Sequence, residues 1–142
     1  MTNAISTVSH LRDEVARLRL VGRDLVLAQP LDVLAAAYNG TGPEFLPDEI
    51  RAKLDDFARP FLPAVMVHDV DFTYSDGTVG SFRSANRRLL VNCLICALDA
   101  HPWHSWRRYA LILEAWALYR ACTKFGWIAW RLAYNKNTKQ ER

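Results

Sequence analysis

Apolar residues recur along this chain at helical rather than strand spacing. Over 7–20, Val8, Leu11, Val15 and Leu18 fall three or four apart and so line one side of a helix, with Ser9 ahead of Arg12–Asp13–Glu14 as its cap. A second apolar stretch, 24–37, is interrupted by Pro30, which suits the first turn of a new short helix. Tyr38–Asn39–Gly40–Thr41–Gly42–Pro43 carries the punctuation of a loop. Pro47 opens a helix to about Ala58, with Asp48 and Glu49 in the first turn, where the helix dipole favours acids. Arg59–Pro60 ends that helix, and the pattern predicts another over about 63–73. The glycines of 75–81 predict a turn or small hairpin, after which Ser84 caps a helix over about 85–99 that His101–Pro102 stops. A last helix is expected over about 105–134, bending near Gly126, with the polar 136–142 fraying beyond it. Strand-like alternation is nearly absent, so the expected class is all-α.

The chain has 142 residues, enough for one domain with a real core. Folding therefore does not require disulfides or a structural metal. Cys93 and Cys96 spell C-x-x-C, but inside an apolar helical run and with no second pair to complete a zinc site. Together with Cys122 they read as reduced, buried thiols. The N-terminus lacks the basic-then-apolar order of a secretory leader, and no 18-residue apolar stretch occurs. Synthesis in the cytoplasm is the corresponding expectation. Charge is unevenly placed. Residues 1–100 hold ten Lys/Arg against thirteen Asp/Glu, whereas 101–142 hold eight against two. A basic C-terminal third points to a polyanionic partner: an acidic protein surface, anionic lipid or, less favourably, nucleic acid.

Three short segments carry candidate chemistry. Alternate glycines in Tyr38–Pro43 let a loop turn its carbonyl oxygens toward one point, and carbonyls with a carboxylate suit a hard cation such as Ca2+. In His68–Asp69–Val70–Asp71–Phe72, adjacent His and Asp on a helix point about 100° apart and can serve neighbouring subsites. The imidazole can take a proton from water while the carboxylate holds a metal that polarises an ester carbonyl. A residue on a neighbouring antiparallel helix must then fix the ring through its other nitrogen. Asn86, in Ala85–Asn86–Arg87–Arg88–Leu89, stands in the right order along the chain to do so.

In this order the three segments resemble the phospholipase A2 family, and in particular its phage and viral members. There a Y-x-G-x-G loop supplies carbonyls to calcium, an HDxxY helix supplies the base and a calcium carboxylate, and an Asp on a second helix orients the His. The viral variant carries a Gly-Pro loop and A-D-x-x-F. The resemblance covers roughly 38–134. It implies a Ca2+ site at Tyr38, Gly40, Gly42 and Asp69, and catalytic roles for His68, Asp69 and Asn86. It also implies three parts: an N-terminal helical extension (1–37), a phospholipase A2-like helical domain (38–135) and a polar tail (136–142). Phe72 stands where the family has tyrosine. Asn86 stands where it has the orienting Asp and brings no charge to stabilise an imidazolium. The resemblance therefore implies a phage-encoded protein with an impaired catalytic network that acts by binding, as a virion component or a host-directed effector. The alternatives are an active Ca2+-dependent phospholipid esterase that helps breach a membrane, and a helical inhibitor of a host or defence protein.

All five tryptophans lie in 103–130, interleaved with tyrosines and basic residues. Trp and Arg are the usual anchors of protein interfaces, and Trp, Tyr and Arg are favoured at membrane surfaces. The expected contact residues are Trp106, Arg107, Arg108, Trp116, Arg120, Lys124, Trp127, Trp130 and Arg131. On a helical wheel Arg120, Lys124 and Arg131 share one side that Arg107 and Arg108 do not, so the helix either breaks near 123–126 or meets different things along its two halves.

Overall fold

The computed structural model of the chain describes residues 2–38 and 48–140. Among them every regular element is helical, as the spacing predicts. In order these are α1 (Thr2–Arg17), α2 (Arg23–Leu27), α3 (Leu31–Ala37), α4 (Asp48–Ala58), a 3-10 turn (Arg59–Phe61), α5 (Leu62–Thr73), α6 (Val79–Ala100) and α7 (Trp106–Gln140).

The centre of the fold is α5. Pro63, Ala64, Val65, Met66, Val67, His68 and Val70 are all buried, so nearly every side of this helix meets protein. A helix that is apolar all round belongs inside a domain, and α5 touches α1, α2, α3, α6 and α7. Val8, Leu11, Val15, Leu20, Val26 and Leu34 join one core cluster with Phe61, Met66, Leu89, Cys93, Ala97 and Leu118. The 1–37 segment is thus built into the same core as the rest and not appended to it.

One side chain ties the N-terminal turn to this core. Asn92, wholly buried on α6, accepts from Val21 N at 2.8 Å and donates to Val21 O at 3.0 Å. Next to it Gly22 has φ 86°, and a Cβ there would lie 2.8 Å from Arg88 Cδ. Both the left-handed backbone and the close approach call for glycine.

The boundaries differ from the sequence pattern in informative ways. Pro30 is the N-cap of α3 rather than its first residue. The turn at 75–78 is shorter than expected, and α6 begins at Val79, capped by Thr78 and not by Ser84. Thr78 Oγ1 accepts from Ser81 N, while Asp76 accepts from Thr78 N, Thr78 Oγ1 and Ser81 Oγ. These bonds hold the Asp76 carboxyl below its ordinary pKa. Helix α7 passes Gly126 without interruption and runs through Gln140, so the polar segment to that point is helical. Among the described residues no helix is long and apolar enough to cross a membrane.

Candidate functional site

Helices α5 and α6 are joined by a tight turn and run antiparallel, which brings His68 to Asn86. Nε2 of His68 and Oδ1 of Asn86 are 3.1 Å apart, both residues being buried. With the amide oxygen facing the ring, Nε2–H is the donor. The pairing expected between the candidate base and the residue that fixes its ring is therefore present, across 18 residues of sequence.

The surroundings of the ring are apolar. Phe72, one turn along α5, stacks obliquely on His68 with centroids 4.6 Å apart. Trp130 of α7 meets Phe72 edge-on at 4.9 Å and Phe82 at 5.9 Å. Desolvation lowers the His68 pKa from 6.5 to about 4, against the smaller opposing effect of the Asn86 hydrogen bond. The imidazole is neutral at physiological pH, with Phe72 against its ring and Trp130 edge-on to Phe72. Its partner's second amide atom, Asn86 Nδ2, is buried with no hydrogen-bond partner.

The carboxylates on the same helix separate. Asp69 is half-buried beside His68, and its charge adds to the burial that raises the pKa of Cys122 on α7. Asp71 is ion-paired with Arg88 of α6. Burial still pushes its pKa up, since desolvation outweighs the guanidinium. Of the remaining expected cation ligands, Tyr38 ends α3 and packs on the core. Gly40 and Gly42 lie outside the described residues. Among the described residues no three His, Cys, Asp or Glu side chains converge as a metal-ligating group.

Cys93 and Cys96 are buried free thiols and Cys122 is half-buried. Desolvation raises all three, Cys96 to about 11 and Cys122 to about 12.

The expected contact residues on α7 divide into an inner and an outer set. Trp130 is a correction: it is only 2% exposed and belongs to a small core with Phe82 and Ala85. Trp127 is half-buried against Phe82, with Arg131 over its ring at 5.6 Å. Arg108 is half-buried, on the side turned toward the domain. Trp106, Arg107, Trp116, Arg120, Lys124 and Arg131 are exposed. Sequence reasoning left Tyr109, Leu113, Phe125, Ile128 and Leu132 out of this set, yet all are exposed. On a wheel Leu113 and Ile128 lie roughly opposite the buried Ala115, but Phe125 and Leu132 fall within about 40° of the buried Leu118, so spacing alone does not mark the whole face.

No family model matches the chain, and no curated protein or solved structure matches it.

Proposed function

We propose that this chain is a phage-type phospholipase A2-like helical protein that works by binding, as a virion component or a host-directed effector, and that the outer face of α7 is its contact surface. The observation that carries the binding reading is the exposure of large apolar side chains on one long helix. Trp106 is 74% exposed, Leu113 71% and Phe125 70%. Monomeric proteins rarely leave a contiguous apolar surface of this kind without a partner. The burial of His68 supports the same reading. A base buried in the core, with Phe72 against its ring and Trp130 behind Phe72, is poorly placed to meet an ester.

The test is affinity purification from phage-producing cells and from purified virions, using the wild type and a variant carrying Trp106→Ser, Leu113→Ser and Ile128→Ser. Partners held by the wild type and lost from the folded variant support the binding reading. Equal recovery of the same partners by both proteins overturns the choice of surface.

One observation favours a second reading, the Ca2+-dependent phospholipid esterase. The His68–Asn86 bond engages one ring nitrogen and leaves Nδ1 as the atom that would accept a proton from water. Bound calcium, held by Asp69 and loop carbonyls, would supply Lewis-acid polarisation of the ester. Asn86 would fix the ring but leave an imidazolium without a neighbouring negative charge. Release of fatty acid from phospholipid vesicles in calcium, absent in a chelator and absent from His68→Gln, is the result that would establish this reading over the first.

A further inference from the structure

Helix α7 is apolar on two opposite sides, and only one of them is used. The inner side carries Ala115, Leu118 and Trp130, all buried. At about 100° per residue, Trp106, Leu113, Ala117, Lys124, Ile128 and Arg131 fall within about 60° of one another on the opposite side. Tyr109, Trp116 and Arg120 border this strip on one flank, Phe125 and Leu132 on the other, and all of these are exposed. The outer face is therefore a mixture of long apolar side chains, aromatic rings and cations. The sole acid in α7 is Glu114, half-buried at its margin.

We infer that this face lies flat on an anionic lipid surface. The inference rests on the proposed binding role of α7 and names its partner. Charge complementarity selects an anionic occupant, because Arg120, Lys124 and Arg131 stand on or beside the strip without acids opposite them. The same charges disfavour a second copy. Two α7 helices laid face to face would bring these cations into one interface with Glu114 of each copy as the only acid on either helix, and uncompensated like charge across an interface is costly. The spread of the apolar residues favours a fluid surface over a grooved protein. Trp106 and Leu113 in the first half and Phe125 and Leu132 in the second lie on different lanes of the helix. A groove needs one fixed stripe, whereas a lipid boundary accepts a broad face. Trp and Tyr prefer the boundary between headgroups and acyl chains, and Lys and Arg stems can lie along it while their charges stay among phosphates. Trp103, 75% exposed just ahead of the helix, extends the same set.

The geometry also separates this contact from His68. The ring reaches α7 through Phe72 and Trp130, on the inner side of that helix. A surface docked on the outer side has α7 between itself and His68. The chain would then sit on lipid without presenting the imidazole to it.

The test is cosedimentation of the full chain with vesicles of equal parts phosphatidylglycerol and phosphatidylcholine, and with phosphatidylcholine alone, followed in parallel by tryptophan emission. Binding and a blue shift are expected with the anionic vesicles and not the neutral ones, weakening as salt rises. Arg120→Glu, Lys124→Glu and Arg131→Glu together should weaken binding by about a hundredfold, since each basic residue near an anionic surface contributes about fivefold. These side chains are exposed, so circular dichroism should be unchanged; if it is not, the corresponding Gln variants serve instead. Absence of binding to anionic vesicles overturns the inference, as does undiminished binding by a folded charge variant. Concentration-dependent dimerisation that is lost with Leu113→Ser and Ile128→Ser, without vesicle binding, would replace lipid by a second copy. A protein partner lost from the outer-face variant, again without vesicle binding, overturns the lipid surface and leaves the binding role of α7 standing. If outer-face substitutions alter no association of any kind, both readings fall.

Discussion

Nε2 of His68 lies 3.1 Å from Oδ1 of Asn86, inside the core and between two antiparallel helices. An imidazole in that position is neutral for a physical reason: burial strips the charged form of water, and an amide oxygen replaces only part of what is lost. The pair therefore behaves first as a buried hydrogen bond, whatever else it does.

A pH dependence of stability follows. The ring titrates at about 4 in the fold and near 6.5 when unfolded. Below 6.5 the unfolded chain binds a proton that the folded chain refuses, so stability is full above about 6.5, falls as pH drops, and levels off below about 4. The difference corresponds to roughly 3 kcal/mol. Urea unfolding of the wild type and His68→Gln should diverge in slope over that window. Parallel pH profiles would mean that the ring is solvated.

Asn86→Asp sets a carboxylate against the same nitrogen. The imidazolium gains an ionic partner, so the pKa of His68 should rise from about 4 to above its ordinary value, at some cost in stability from the added buried charge. Ring NMR signals followed against pH report this directly. A raised pKa with new hydrolysis of a fluorogenic phospholipid in calcium would favour the esterase. A raised pKa without hydrolysis would favour the binding role.

The helices were legible in the sequence because their apolar residues must face one core: Val8, Leu11 and Val15, spaced three and four apart, are all buried. The His68–Asn86 pairing was legible through motif order. Other features were not. Asn92 and Val21 are 71 residues apart, and nothing local in an apolar run announces that one amide will serve a distant turn. The start of α6 was misplaced because Gly77 and Gly80 both look like turn residues. Only Gly77 needs a positive φ, at 71°, where the Tyr134 ring also packs on it, while Gly80 is simply helical. The full outer face of α7 was hidden by its composition. With apolar residues on both sides, periodicity could not say which side meets the domain.

The thiols provide a check on the core. Cys93 and Cys96 are buried, and desolvation holds Cys96 at about 11 and Cys122 at about 12. Only the thiolate is alkylated readily. At pH 8 the folded chain should resist iodoacetamide at all three positions and react at all three in denaturant, as mass spectrometry would read out. Rapid labelling of Cys93 in the native protein would contradict the packing of α6 against α5 and α7.

The two kinds of tryptophan on α7 should separate stability from binding. Trp130 fills the space between Phe72 and Phe82 and is nearly inaccessible. Its truncation removes a large buried ring that its neighbours cannot replace, so Trp130→Ala should cost about 3–5 kcal/mol. The loss should also loosen the cover over His68, because Phe72 is the ring between them. Trp106 has no such role. It is three-quarters exposed, with the Arg107 guanidinium 6.0 Å from its ring centroid. Trp106→Ala should change stability by less than about 0.5 kcal/mol while weakening association through the outer face. Denaturant unfolding and vesicle binding measured on both variants give opposite patterns if α7 has one structural side and one contact side. Equal destabilisation by the two substitutions would mean that Trp106 is packed against the domain and that the outer face is smaller than described.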